Sequence, residues 1–345
     1  MNRWLACELH THTVHSDGRQ TLNELAQGAK ALGFDCIALT DHNTMSGLSE
    51  REAVEAETGI AIIPGMEWTT FYGHMVTIGL TEYADWRKAE RTNLLDGIAD
   101  VHRCGGLAGM AHPFRIGSPI CTGCRWEYEI ADWRAIDYIE VWSGTFPQPK
   151  TDNARAFALW TERLDAGCRI AAVSGRDWHA QTPVEEPIAV TYLEAVDEAG
   201  RAVPDNTAGQ AVKALKAGRA SVTIGPLLTL AAEAAGIRFG LGSVVPAAFR
   251  RDGLQLRIGA DFKVRPGKWE LPPQTYTLRL TGNAGVVGEW AVDGSGGQAV
   301  VTCDIGGGAS APGWIRAELW GVVRGIRTMI AFTNAIYMEG RSEEL

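Results

Sequence analysis

The sequence predicts an α/β domain over about residues 1–225 followed by an antiparallel β-sandwich over 226–345, and three observations carry that reading. Up to Gly225-Pro226, short apolar runs alternate with amphipathic stretches of helical spacing, the pattern of an α/β architecture. Beyond it, helical periodicity gives way to short alternating runs separated by Gly- and Pro-rich turns. Histidines and carboxylates recur where the apolar runs of the first part end, as ligands do at the C-terminal mouth of a β/α barrel. A chain of 345 residues also exceeds what one core usually serves, although a barrel alone reaches about 250. Two cores are expected.

Ala6-Cys7-Glu8-Leu9 reads as the first strand. Thr21-Leu-Asn-Glu24 has the spacing of a capping box, in which threonine and glutamate satisfy each other's backbone N–H groups. Leu22, Leu25, Ala29 and Leu32 follow at helical spacing, and Gly33 supplies a stop. Ile37-Ala-Leu-Thr40 is the second strand and ends at Asp41-His42. Further helices are expected at about 46–58, 88–103, 152–166 and 207–217, separated by strands at 60–64, 75–79, 106–111, 137–142, 170–174 and 188–193. In the second part, 254–259, 275–280, 299–304, 314–320 and 328–332 read as strands, with turns at 293–297 and 306–312. None of these glycine-rich turns precedes a helix with a Lys-Ser/Thr signature, so hairpins rather than phosphate loops are expected.

The chemistry begins at His10-Thr-His12. One residue between two histidines on a strand sends both imidazoles to the same face, because side chains alternate with period two, so the pair can share one ion. A lone His-x-His is more often structural than metallic, but here Asp17 follows, then Asp41-His42 after one helix-sized gap. Glu67 follows the run 60–64 through Gly65, and His74 opens 75–79. His112 closes 106–111 before Pro113, and Asp177 and His179 follow 170–174 through Gly175-Arg176. Each is expected where a buried strand meets a loop. His10, His12, Asp17, His42, Glu67, His74, His112, Asp177 and His179 offer three or four ligands to each of three metals if one carboxylate bridges. The mixed imidazole and carboxylate set suits Zn, Mn or Fe, and two to three such divalent ions are the expected cofactors.

Taken in order, His10-Thr-His12-Thr-Val-His-Ser-Asp17-Gly, Thr40-Asp-His42-Asn, Gly65-Met-Glu67, His74-Met-Val-Thr-Ile-Gly, Ala111-His112-Pro and Ser174-Gly-Arg-Asp177-Trp-His179 resemble the motifs of the PHP (polymerase and histidinol phosphatase) metallohydrolases. The similarity covers about residues 5–225. It implies a distorted seven-stranded β/α barrel carrying up to three divalent metals. By motif, it implies that His10, His12, Glu67 and Asp177 hold the first metal, Glu67, His74 and His112 the second, and Asp17, His42 and His179 the third. No ligand position is missing. The length, the tryptophans around the motifs and the C-terminal extension look most like the branch that includes carbaryl hydrolase-type enzymes.

Composition narrows the partners. A formal charge of −9 and a pI near 5.4 argue against a broad basic surface for duplex nucleic acid, while leaving room for a short oligonucleotide held by metals and a few arginines. The seven cysteines are odd in number and scattered, several within apolar strands or helices, which reads as buried reduced thiols in the cytoplasm. Cys121-Thr-Gly-Cys124 has no second pair to complete a zinc site and no thioredoxin-like context, so a surface loop is expected. The first apolar residues belong to the strand that places His10 and His12, which argues against a cleaved leader. No apolar stretch is long enough to cross a bilayer, so no membrane partner is expected. The part after 226 holds no histidine, so packing, dimerisation into a homo-oligomer or substrate gating is expected of it rather than a second catalytic centre.

Three divalent ions among neutral imidazoles and the carboxylates of Asp17, Glu67 and Asp177 leave an excess of positive charge, which favours a phosphate ester over a neutral group. Adjacent metals lower the pKa of a bridging water, giving hydroxide for in-line attack, with Glu67 as the bridging carboxylate. No Gly-x-Ser-x-Gly nucleophile elbow is present. Arg115 and Arg176 are placed to reach phosphate oxygens bidentately, a rim ion pair being the alternative for each. Asp41 is expected to orient a neighbouring histidine. Trp68, Tyr72, Trp142 and Trp178 are candidates to stack a base or aromatic leaving group, or to pack the core. His15 and His102 read as bystanders, with His15 a minor candidate for proton transfer. The leading function is hydrolysis of a phosphate mono- or diester, a small molecule or short nucleotide, through a metal-bridged hydroxide. Hydrolysis of a carboxylic or carbamate ester is the alternative, and a noncatalytic binding role comes third.

Overall fold

The computed structural model describes residues 3–117, 125–183, 187–196, 206–250, 253–306 and 312–339. Cys121-Thr-Gly-Cys124 and most of the expected turn at 306–312 lie outside the described residues. Two compact units are present: Met1–Thr161 with Ile170–Lys216, and Glu162–Arg169 with Ala217–Leu345.

The first unit alternates strand and helix. In chain order it contains β1 (Arg3–Thr11), α1 (Leu22–Leu32), β2 (Cys36–Leu39), α2 (Arg51–Thr58), β3 (Ala61–Thr70), β4 (Gly73–Ile78), α3 (Leu94–Arg103), β5 (Leu107–Met110), β6 (Tyr138–Ser143), α4 (Thr151–Asp165, its last turn grouped with the second unit), β7 (Ala171–Gly175), β8 (Val190–Ala195) and α5 (Thr207–Lys216). The strands pair in the order β8-β1-β2-β3-β4-β5-β6-β7. The β1–β2, β2–β3, β5–β6 and β6–β7 pairs are parallel, and the others are antiparallel. Thr11, the last residue of β1, bridges in parallel to Trp178 just beyond β7. There Trp178 N–H donates to His10 O at 3.0 Å and His12 N–H donates to Trp178 O at 2.9 Å. β1 and the segment after β7 thus meet where the histidines lie.

Local chemistry explains the elements. The capping box of α1 forms, with Glu24 N–H donating to Thr21 Oγ1 at 3.2 Å and Thr21 N–H to Glu24 Oε2 at 2.7 Å. Leu22, Leu25, Ala26 and Ala29 bury one stripe of this helix, and Leu32 stays half-buried. The helix expected at 88–103 begins at Leu94 instead, because Asn93 Oδ1 accepts from Glu90 N–H at 2.6 Å and holds the preceding segment in a turn. The stretch 46–58 divides into a 3₁₀ turn at Ser46–Glu50 and α2.

β3 corrects the expectation that every ligand sits at a strand end. It runs past Pro64 because it changes partners, pairing with β2 over Ala61 to Pro64 and with β4 over Gly65 to Thr70. Glu67 therefore lies inside a strand and is held from both sides. Trp160 of α4 anchors the helix layer, fully buried, with its Nε1–H donating to Ile170 O at 2.8 Å. Trp160→Ala is expected to cost about 3–5 kcal/mol of folding stability, read by denaturant unfolding.

The second unit is β-rich. Leu227–Ala234, Ile237–Phe239, Leu254–Asp261 and Gln298–Ile305 form one antiparallel sheet. Thr275–Gly282, Gly285–Asp293, Trp314–Val323 and Ile326–Thr333 pair antiparallel in another. Leu254, Leu256, Ile258 and Ala260 are buried in alternation with Gln255 and Arg257, the period-two pattern legible in the sequence. Leu227–Ala234 lacks that alternation because most of its residues on both faces are buried, which hides it from a periodicity reading. Among the described residues, no helix is long and apolar enough to cross a membrane.

Candidate metal centre

The site is built on the ends of β1, β2, β5 and β7 and the hairpin of β3 and β4. His10 and His12 leave β1 on one face, both fully buried. The turn that follows folds back tightly, since a Cβ on Gly18 would lie 2.6 Å from the His12 carbonyl carbon, which explains glycine after Asp17. His42 follows β2, Glu67 and His74 come from the hairpin, and His112 and Asp177 follow β5 and β7. His112 and Asp177 hold φ of 27° and 55°, a left-handed region that non-glycine residues occupy at a cost and that clusters at functional sites.

All nine expected ligands come together. His10 Nε2 lies 3.1 Å from Glu67 Oε2 and 3.4 Å from Asp177 Oδ1, and His12 Nε2 lies 3.3 Å and 3.1 Å from the same two oxygens. These four residues offer ligand atoms all within 4.8 Å of one another. The other oxygen, Glu67 Oε1, faces His74 Nδ1 at 2.8 Å and His112 Nε2 at 3.2 Å. Asp17 Oδ1 faces His179 Nε2 at 3.0 Å and His42 Nε2 at 3.4 Å, and His12 joins this group. His42 also reaches inward, with Nδ1 3.0 Å from Glu67 Oε2 and bonded to Thr69 Oγ1. Glu67 thus presents its two oxygens to different sets of imidazoles, the geometry a bridging carboxylate requires.

The donor set fits divalent ions. His10 Nε2, both ring nitrogens of His12, Glu67 Oε2 and Asp177 Oδ1 are buried without a hydrogen bond, although burial normally demands one. Burial works against charge on every one of these groups, yet Glu67, Glu140 and Asp177 together hold the His10 imidazole well above its ordinary range. Against the same burial, the Asp177 and Glu67 carboxylates close to its ring push His12 up to about 9. Glu67 and Asp177 lie well below the carboxylate range despite their desolvation, with His10 the main opposing cause for both. Buried carboxylates that draw protons onto imidazoles would draw a metal cation by the same field.

The supporting residues divide. Arg115 donates from Nη1 to Asp177 Oδ2 and from Nη2 to Ser143 Oγ, so it stands at the cluster in an ion pair. Arg176 is buried, its guanidinium stacked 4.3 Å from the Trp178 ring, and burial lowers its pKa while the Glu8 charge opposes that. Asp41 orients no histidine. Its Oδ1 accepts from Thr13 N–H at 2.7 Å and Ser16 Oγ at 2.6 Å, and its Oδ2 from Thr13 Oγ1 at 2.7 Å, so both oxygens are spent on the turn that carries Asp17. His15 pairs with Ser46 Oγ at 2.8 Å and His102 with Asp137 at 2.7 Å, so both find partners outside the cluster.

Sequence reasoning missed two carboxylates. Glu140 Oε2 lies 2.6 Å from His10 Nδ1, and Glu8 Oε1 accepts from the N–H groups of His10 at 3.1 Å and Arg176 at 2.8 Å. Burial pushes Glu8 up to about 7. Their signal was a glutamate inside an otherwise apolar strand. Of the aromatic candidates, Trp68 and Trp142 are core residues. A cavity of about 280 Å³ lined by His74, His112, Arg115 and Trp126, and one of about 540 Å³ lined by Asp17, His42, Phe71, Tyr72 and Trp86, open beside the ligands. Phe71 is 62% exposed there, and Tyr72 meets Tyr128 edge-on at 5.6 Å.

The model of the PHP domain matches residues 8–112. An uncharacterized protein of Methanocaldococcus jannaschii is 30% identical over 128 residues, 34% of this chain and 71% of that protein. A 3',5'-nucleoside bisphosphate phosphatase of Chromobacterium violaceum is 36% identical over 77 residues, 21% of this chain and 27% of its own length, so the chain spans about a quarter of that relative. A crystal structure from Bacteroides vulgatus, of a two-domain protein containing a predicted PHP-like metal-dependent phosphoesterase, superposes with a TM-score of 0.53 at 16% identity, covering 97% of this chain and 96% of that one. With its ordered motifs and converging ligands, the chain belongs to the PHP domain family.

Proposed function

We propose that this protein is a metal-dependent phosphoesterase acting on small phosphate mono- or diesters. The observation that carries the reading is the pair of Glu67 oxygens facing two imidazole sets amid buried, unpaired ligand atoms. In this reading His10, His12, Glu67 and Asp177 hold one ion, Glu67, His74 and His112 a second, and Asp17, His42 and His179 a third. Zn, Mn or Fe in two to three positions suits the donors. Ions held there would supply a nucleophilic water at neutral pH and Lewis acidity toward phosphoryl oxygens. Arg115, already at the cluster rim, reads a phosphate oxygen, and Ser143 orients its guanidinium. The proposal also takes β1–β7 as a distorted barrel, 1–225 as the catalytic part and 226–345 as an accessory sandwich. The phosphatase activity named for the Chromobacterium violaceum relative supports the substrate class.

Exposed Phe71 beside the cluster favours a second reading, in which an aryl carboxylic or carbamate ester is the substrate. A panel of a phosphate monoester, a phosphodiester and an aryl carbamate, assayed on metal-loaded protein, separates the two. Arg115→Ala is expected to lower turnover of the phosphate ester by about one to two decades, with metal content intact and carbamate activity much less affected, because one charge-assisted contact contributes about 1.5–3 kcal/mol. Equal losses on both substrates would instead assign Arg115 to holding Asp177.

A further inference from the structure

We propose that Glu140 is the positioning residue of the centre, fixing the His10 ring so that its Nε2 faces a metal. Glu140 lies on β6 and is buried, and its Oε2 sits 2.6 Å from His10 Nδ1. A carboxylate there accepts the Nδ1–H, sets the tautomer and leaves the Nε2 lone pair directed at Glu67 Oε2 and Asp177 Oδ1, 3.1 and 3.4 Å away. The approach is built into the backbone. A Cβ on Gly175, at the end of β7, would lie 2.6 Å from His10 Cβ and 2.7 Å from Glu140 Oε2, so residue 175 is glycine where the pair closes. A structural carboxylate would have both oxygens satisfied, whereas Glu140 Oε1 is buried with no hydrogen bond. Burying a half-satisfied carboxylate is costly, and polarising a metal-binding imidazole is the return the geometry offers. His12, by contrast, has no partner on Nδ1, so the two histidines of the motif differ in how firmly they are set.

The inference rests on the metal-centre reading above but not on the identity of the substrate. Glu140→Gln keeps the size of the side chain and removes its charge. Competition titration against a chromophoric chelator is expected to show the affinity for one Zn equivalent falling about 10–100-fold. The visible spectrum of the Co(II)-substituted variant should change. Unchanged zinc affinity, or a lower metal-free melting temperature with affinity intact, overturns the proposal and makes Glu140 a structural residue. Should the variant fail to fold, nitrogen NMR of histidine-labelled, zinc-loaded wild-type protein decides the matter. His10 is expected as the Nδ1–H tautomer bound through Nε2, and an unprotonated Nδ1 overturns the proposal. A protein that binds zinc as described but hydrolyses no phosphate ester would refute the proposed function and leave this inference standing.

Discussion

Glu67→Gln is expected to abolish hydrolysis and to release more than one metal equivalent. The wild-type carboxylate turns Oε2 toward His10 and His12 and Oε1 toward His74 and His112, so its two oxygens face different imidazole sets. A glutamine keeps one such oxygen and turns an NH₂ donor toward the other set, where no ion can be ligated. The loss should therefore exceed the roughly 10–100-fold that follows removal of an outer partner of a metal ligand. Elemental analysis and turnover, measured on the same preparation, check this. A variant that retains its full metal content and undiminished phosphoesterase turnover would sink the bridging role.

Stripping divalent ions with a chelator should destabilise the protein as well as silence it. An ion present at about a thousand times its Kd stabilises the native state by about 4 kcal/mol, which for a unit of this size corresponds to a melting temperature lower by roughly 8–16 °C once the ion is gone. Before stripping, two to three equivalents of Zn, Mn or Fe are expected, and fewer than about one after reconstitution at neutral pH would defeat the metal reading. The effect should depend on pH. In the metal-free protein His12 is pushed up to about 9 from an ordinary value of 6.5, because Asp177 and Glu67 outweigh its burial. A raised imidazole pKa contributes stability that is complete below 6.5 and is lost as the pH rises through 9. Metal needs the same nitrogens deprotonated, so the gap in melting temperature between loaded and stripped protein should widen across that interval. A constant gap would show that protons and metal do not compete at these histidines.

Much of the fold was legible because its signals are local. The capping box of α1, the alternation along Leu254–Asp261 and the positions of β5, β6 and β7 follow from spacing within a few residues. What escaped had no such signal. Leu227–Ala234 is buried on both faces and shows no period, and β3 looked like a strand ending at Pro64 because its continuation depends on a new partner, β4. Among the aromatics, Trp68 and Trp142 proved to be core, while Phe71 and Trp86 reached the cavity. Residue type alone does not tell which side of a sheet faces the ligand cluster.

For the site, the sequence by itself determined which residues could be ligands and in what order, since each sits in a short motif whose spacing constrains its own geometry. His10 and His12 share a face because strand side chains alternate, whatever lies around them. Only the tertiary structure decided the partners. The bridging posture of Glu67 needs histidines from four separate segments, and the carboxylate behind His10 comes from Glu140, 130 residues away, whereas Asp41 close by in the motif is committed to the Thr13–Ser16 turn. Hydrogen bonds at that separation follow from strand order and packing, which bring β1, β6 and β7 together, and no local spacing encodes them.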